Sequence, residues 1–83
     1  MIHITKEQAL EKVTTFLAVH QQILDETALG ELSKLEYDEN TKLDESNDDR
    51  IEIYSKFGEK YCKSFIIRKD GTFMIISGDL AMP

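Results

Sequence analysis

The chain has 83 residues, 41% of them hydrophobic and 31% charged, with a formal net charge of −6. That length fits a single domain over residues 1–83, and its apolar content is too high for a wholly disordered chain. The net charge weighs against nucleic acid as a partner, because a phosphate backbone would be repelled.

The first seven residues lack a basic stretch followed by an apolar one, so no secretory signal is expected. No run approaches the roughly 20 apolar residues of a membrane span, so no membrane partner is expected. Helix formation begins at Thr5-Lys6-Glu7-Gln8, a capping box in which the Thr5 hydroxyl and the Gln8 side chain satisfy each other's backbone amides. Ala9, Leu10, Val13, Phe16, Leu17, His20, Ile23 and Leu24 then recur at steps of three and four and define one helical face. The spacing predicts a helix over about 6–27, with Gly30 as its stop. Leu29, Leu32 and Leu35 fit a short second helix, whereas Lys34 to Tyr37 could equally open a strand.

An acidic connection is expected over about 31–49. Between Asp25 and Glu52 there are eleven carboxylates against three cations, a balance of −8, while residues 53–83 are net +2. Asp38 to Asp49 reads as a solvated loop, with Leu43 its only apolar residue. A β-meander is expected over about 50–77. Residues 50–57 alternate in polarity, while Tyr61–Arg68 and Thr72–Ser77 are rich in β-branched and aromatic residues. Asp70-Gly71 predicts a two-residue type I′ turn, and Gly58-Glu59 is a weaker turn candidate.

Two-residue turns would set Ile67 opposite Met74, Ile66 opposite Ile75, Ile51 opposite Ile66 and Tyr54 opposite Lys63. One face would then carry Ile51, Ile53, Phe57, Cys62, Ile66, Phe73 and Ile75 and pack on the helix. The other would carry Tyr54, Tyr61, Phe65, Ile67, Met74 and Ile76 and form a candidate interface. A single helix covers one face, so residues 29–45, the tail 78–83 or another chain should cover the second. The expected fold is α+β: one long N-terminal helix packed on an antiparallel β-meander of three to four strands. In element order the chain resembles small helix-first modules such as PepSY-like domains and some toxin-immunity proteins, and it carries no motif specific to either family.

The candidate partner-binding residues are Glu36, Asp38, Glu39, Asp44, Glu45, Asp48 and Asp49, a field that attracts basic protein surfaces. The bland alternative is a solvated loop that aids solubility. A calcium loop starting at Asp44 would use Ser46 and Asp48, but Asp49 stands where glycine is required and Ser55 where a bidentate glutamate belongs. His20 reads as a partly buried helix residue and Cys62 as a small buried hydrophobe; their pairing as a nucleophilic dyad is disfavoured by that burial. Tyr54, Tyr61 and Phe65, with Lys56, Lys60 and Lys63 nearby, could form a protein interface or ordinary core. No phosphate loop, catalytic triad or nucleotide fingerprint is present, so no enzymatic activity, cofactor or metal is expected. As the only cysteine, Cys62 can form no intrachain disulfide, which fits a reducing, cytoplasmic location. The reading is a small acidic protein-binding module, an inhibitor or immunity-type protein that docks on a basic partner. The alternative is a homo-oligomeric accessory domain, for instance a homodimer, using the second sheet face.

Overall fold

The capping box at Thr5 forms as its sequence requires. The Thr5 amide donates to Gln8 Oε1 at 2.9 Å and the Gln8 amide to Thr5 Oγ1 at 3.3 Å. The computed structural model describes residues 2–57 and 61–79. Their order is β1 (Ile2–His3), α1 (Lys6–Val19), α2 (Glu26–Ser33), β2 (Lys42–Asp44), β3 (Arg50–Phe57), β4 (Tyr61–Arg68) and β5 (Phe73–Asp79). The strands form one antiparallel sheet in sequence order, a four-strand meander β2–β5 extended by the short β1. This is the α+β fold expected, with an N-terminal helix packed on an antiparallel meander.

The helix expected over 6–27 ends at Val19 instead. Gln21 has φ 59°, in the left-handed region. Its amide donates to the Ala18 carbonyl at 3.0 Å, and the Gln22 amide donates to the Leu17 carbonyl at 2.8 Å. These are the two bonds of a Schellman motif, made with glutamine where glycine is usual. The chain re-enters helix at Asp25, whose Oδ1 accepts from the Thr27 amide at 3.0 Å. Gly30 therefore lies inside α2 and is not a stop, and a Cβ built on it would meet nothing within 4 Å. Of the two readings of residues 31–37, the short helix is the one that forms, as α2 ending at Ser33, and residues 34–37 form no strand.

The segment 38–49 is not one loop. β2 interrupts it, because Leu43 pairs with Ile53 and buries its side chain beneath the helices. Ahead of β2, the Glu36 carbonyl accepts from the hydroxyls of both Thr41 and Ser55. Thr41 and Ser55 are wholly buried, and this shared acceptor satisfies both hydroxyls.

The β4–β5 turn has three residues and not two. Arg68 pairs with Thr72 through its amide at 2.8 Å, the Gly71 amide donates to the Arg68 carbonyl at 2.9 Å, and Gly71 has φ 89°. This is a type I turn closed by a left-handed glycine, an alternative use of the same Asp-Gly pair. Phe57 pairs with Tyr61, which also leaves three residues between β3 and β4; the Gly58-Glu59 turn itself lies outside the described residues. Ile51 and Ile53 thus oppose Ile67 and Phe65, and Ile67 and Phe65 oppose Phe73 and Ile75.

Each register differs by one from the expected pairing, so β4 alone is turned over. Phe65 and Ile67 enter the core, while Cys62 and Ile66 move to the open, helix-free face, where Ile66 is nonetheless only 5% exposed. Of the six residues expected to share the second face, only Tyr54, Met74 and Ile76 do so. Residues 29–45 do not cover that face, since Leu32, Leu35 and Leu43 join the core that α1 builds with Ala9, Val13 and Leu17. Of the expected tail, Gly78 and Asp79 belong to β5, and residues 80–83 lie outside the described residues.

Replacing Gly30 with alanine should stabilise the protein by about 0.5–1 kcal/mol, because glycine costs about that much inside a helix. Gln21→Gly should stabilise it by a similar amount, about 0.5–1 kcal/mol, by relieving left-handed backbone. Thermal unfolding measures both; a lower midpoint for Gly30→Ala would place Gly30 at a helix end after all. Tyr37 gives a third test, since its hydroxyl donates to the Leu32 carbonyl at 2.7 Å and burial pushes its pKa up to about 12. The folded state keeps a proton that the unfolded chain releases near pH 10, so this stability is complete below pH 10 and lost as pH rises towards 12. Tyr37→Phe should cost about 1 kcal/mol at neutral pH and flatten that alkaline decline in denaturant titrations.

Candidate functional site

Beside the core stripe of α1 runs a second one. Lys12, Phe16 and Val19 follow at steps of four and three, on the flank that faces the β2–β3 loop. With Thr15 and His20 they form one wall of an open groove of about 390 Å³. Glu45, Asn47 and Asp48 form the other, with Ile51 beneath. The Phe16 and His20 rings meet edge to face, with centroids 5.2 Å apart. Val19 is 74% exposed, and Ile23, just past the helix end, is 89% exposed.

The acidic wall is shaped by short polar side chains that bond their own backbone. Asp44 Oδ1 accepts from the Ser46 amide at 3.0 Å and from its hydroxyl at 2.6 Å, and Asn47 Oδ1 accepts from the Asp49 amide at 2.8 Å. The Ser46 hydroxyl is the main reason that the Asp44 carboxyl titrates below its usual range, followed by the Ser46 amide. Asp49 pairs with Lys69 at 3.0 Å, and the Lys69 amide donates to the Asp49 carbonyl at 2.9 Å, so the loop is tied to the β4–β5 turn. Across the groove Lys12 Nζ reaches Glu45 Oε2 at 3.5 Å, with both side chains about half exposed. A pair so exposed contributes only about 0–1 kcal/mol. A competing cation could displace Lys12 at little cost.

β2 divides the seven acidic candidates into two groups. Glu36, Asp38 and Glu39 precede it; Asp38 and Glu39 line a separate shallow cleft with Thr5, Lys6 and Tyr37, by the start of α1. Asp38 folds back locally, its Oδ1 accepting from the Asn40 amide at 2.8 Å. Asp44, Glu45, Asp48 and Asp49 follow β2, and of these Glu45 and Asp48 line the groove.

The aromatic candidates separate as well. Phe65 and Ile67 are wholly buried, Phe65 stacking on Phe73 at 5.6 Å, whereas Tyr54 lies on the open face and Tyr61 is exposed at the start of β4. Cys62 lies beside Tyr54 on the open face and not against the helix, so it does not meet His20. Among the described residues no group of three or more histidine, cysteine or carboxylate side chains is placed to hold a metal ion. Among them, also, no helix is long and apolar enough to cross a membrane.

Lys12, Val19 and Ile51 were not legible as site residues. The one signal was Val19, an apolar residue off the core stripe, and only the β2–β3 loop makes a groove of it. No protein-family model matches this chain, and no curated protein or solved structure matches it either.

Proposed function

We propose that this chain is a protein-binding module whose groove between α1 and the β2–β3 loop receives a basic, amphipathic segment of a partner protein. The observation that carries the reading is the joining of an apolar wall, Phe16 and Val19, to an acidic one, Glu45 and Asp48, in a single open groove. An aliphatic stem would pack on Phe16, Val19 and Ile51 while its cationic head takes the place of Lys12 at Glu45. The −8 balance of residues 25–52 would speed encounter with such a partner and discriminate against acidic ones. We propose the form of an inhibitor or immunity-type protein, in which the groove would cover a basic functional surface of its partner.

The test is a titration of isotope-labelled protein with a lysine–leucine amphipathic peptide and with its glutamate–leucine counterpart, followed by NMR. The lysine peptide should shift Phe16, Val19, His20, Glu45 and Asp48, and bind less tightly as salt rises from about 50 to about 500 mM. The joint variant Glu45→Lys, Asp48→Lys should lose about tenfold or more in affinity, roughly 1.4 kcal/mol. Equal binding of the two peptides, or an unchanged affinity in that variant, would overturn the proposal.

A further inference from the structure

β5 forms one edge of the sheet. Its ladder with β4 opens with the Arg68 amide donating to the Thr72 carbonyl. Antiparallel alternation then turns the backbone groups of Met74 and Ile76 towards β4 and those of Phe73, Ile75 and Ser77 outward. Those three residues have no backbone partner on the outer side among the described residues. From Phe73 to Gly78 the strand has no charged residue and no proline, the usual devices that keep an edge from pairing. On the open face it exposes Met74 at 39% and Ile76 at 52%.

We propose that this edge pairs with the same edge of a second copy, β5 against β5, to make one continuous ten-stranded sheet. A two-fold axis normal to the sheet keeps the helices of both copies on the same side. It also permits only registers whose axis passes through a residue, because opposed residues must share a face. With the axis at Ile75, all three outward-facing residues are used: Ile75 opposes its own copy and Phe73 opposes Ser77. On the open face Met74 then opposes Ile76 twice, and the four side chains form one apolar cluster beside Ile66.

Charge identifies the occupant. Two chains of −6 repel least where they meet away from charge, and from Phe73 to Gly78 this strand carries none, its one carboxylate being Asp79 at its end. β2, which carries the acidic loops at its ends, lies three strand spacings away, about 14 Å, beyond the roughly 8 Å over which charge acts at physiological salt. Asp49, which reaches towards the β4–β5 turn, is held by Lys69. From Phe73 to Gly78 a basic partner would find no carboxylate to pair with, whereas a second copy finds matching backbone groups and matching apolar side chains.

An interface of one seven-residue strand is small, so dimerisation should be concentration-dependent, with half-association at about 10–1,000 μM. Sedimentation equilibrium measures it directly. Ser77→Pro removes an outward amide and leaves the ladder to β4 intact, so that variant should remain folded by circular dichroism and be monomeric throughout. Ile76→Lys, which alters only an exposed side chain, should weaken association at least tenfold. In the wild type, amide exchange at Phe73, Ile75 and Ser77 should slow as concentration rises. A wild type that is monomeric at about 1 mM would overturn the proposal, as would a dimer that survives both substitutions.

Discussion

Ile53 pairs with Leu43 on one side and Phe65 on the other, and Phe65 pairs with Ile75. This row crosses four strands on one face, and every other contact in the fold depends on its alignment. A shift of one residue at any ladder would turn a strand over and exchange its buried and exposed sets. The helices meet this row through small residues as well as large ones: Ala9 and Ala28 are fully buried and let the helix backbones approach. Fully burying a side chain such as Phe65 contributes roughly 1.5–3 kcal/mol, a large share of the 5–15 kcal/mol typical of a whole domain. The alignment is therefore enforced by energy, and the turns need only be compatible with it.

A second constraint is polar. The Glu36 carbonyl takes the Thr41 and Ser55 hydroxyls, the Thr41 hydroxyl also accepts from the Asp38 amide at 2.9 Å, and the Thr41 carbonyl accepts from the Ile4 amide at 3.1 Å. The end of the helical layer, the start of β2 and the segment before α1 are thereby joined at one buried point. Without those bonds the buried hydroxyls would each cost about 1–3 kcal/mol. This joint holds β2 in the sheet, and β2 in turn holds the β2–β3 loop against α1. The groove thus rests on a buried network some distance from it.

What could be read from the sequence follows the range of the interactions involved. The helix start was legible because Thr5 and Gln8 are neighbours in sequence and in space. The helix end was not, because a glutamine in left-handed backbone has no local signature, and the visible glycine, Gly30, sits harmlessly in the next helix. β2 was hidden because it has a single buried residue, Leu43, too few to show an alternation, and only pairing with Ile53 places it in the core. The meander itself was legible from alternation, yet its register was not: Asp70-Gly71 serves a two-residue and a three-residue turn equally well, and the difference inverts β4. The candidate site divides along the same line. Acidic character is a property of composition and was visible, whereas the groove needs Val19 and Asp48 to meet across 29 positions.

The two surfaces that result are set apart by charge. Most of the carboxylates gather on the β2 side of the sheet, and the other side is closed by a strand uncharged from Phe73 to Gly78, so the molecule is polarised across its strands. Under the proposed reading, a basic partner steered by the field would arrive at the groove, and a contact that must avoid the field would be left with β5. Neither surface uses a residue of the other. Pairing at β5 would therefore place two grooves on one continuous sheet, both on the helical side, at its two outer ends. A bivalent basic partner whose sites match that span would gain avidity from the arrangement, and one with a single site would not. In such a pair, the sheet row that fixes the fold would also fix the distance between the two grooves.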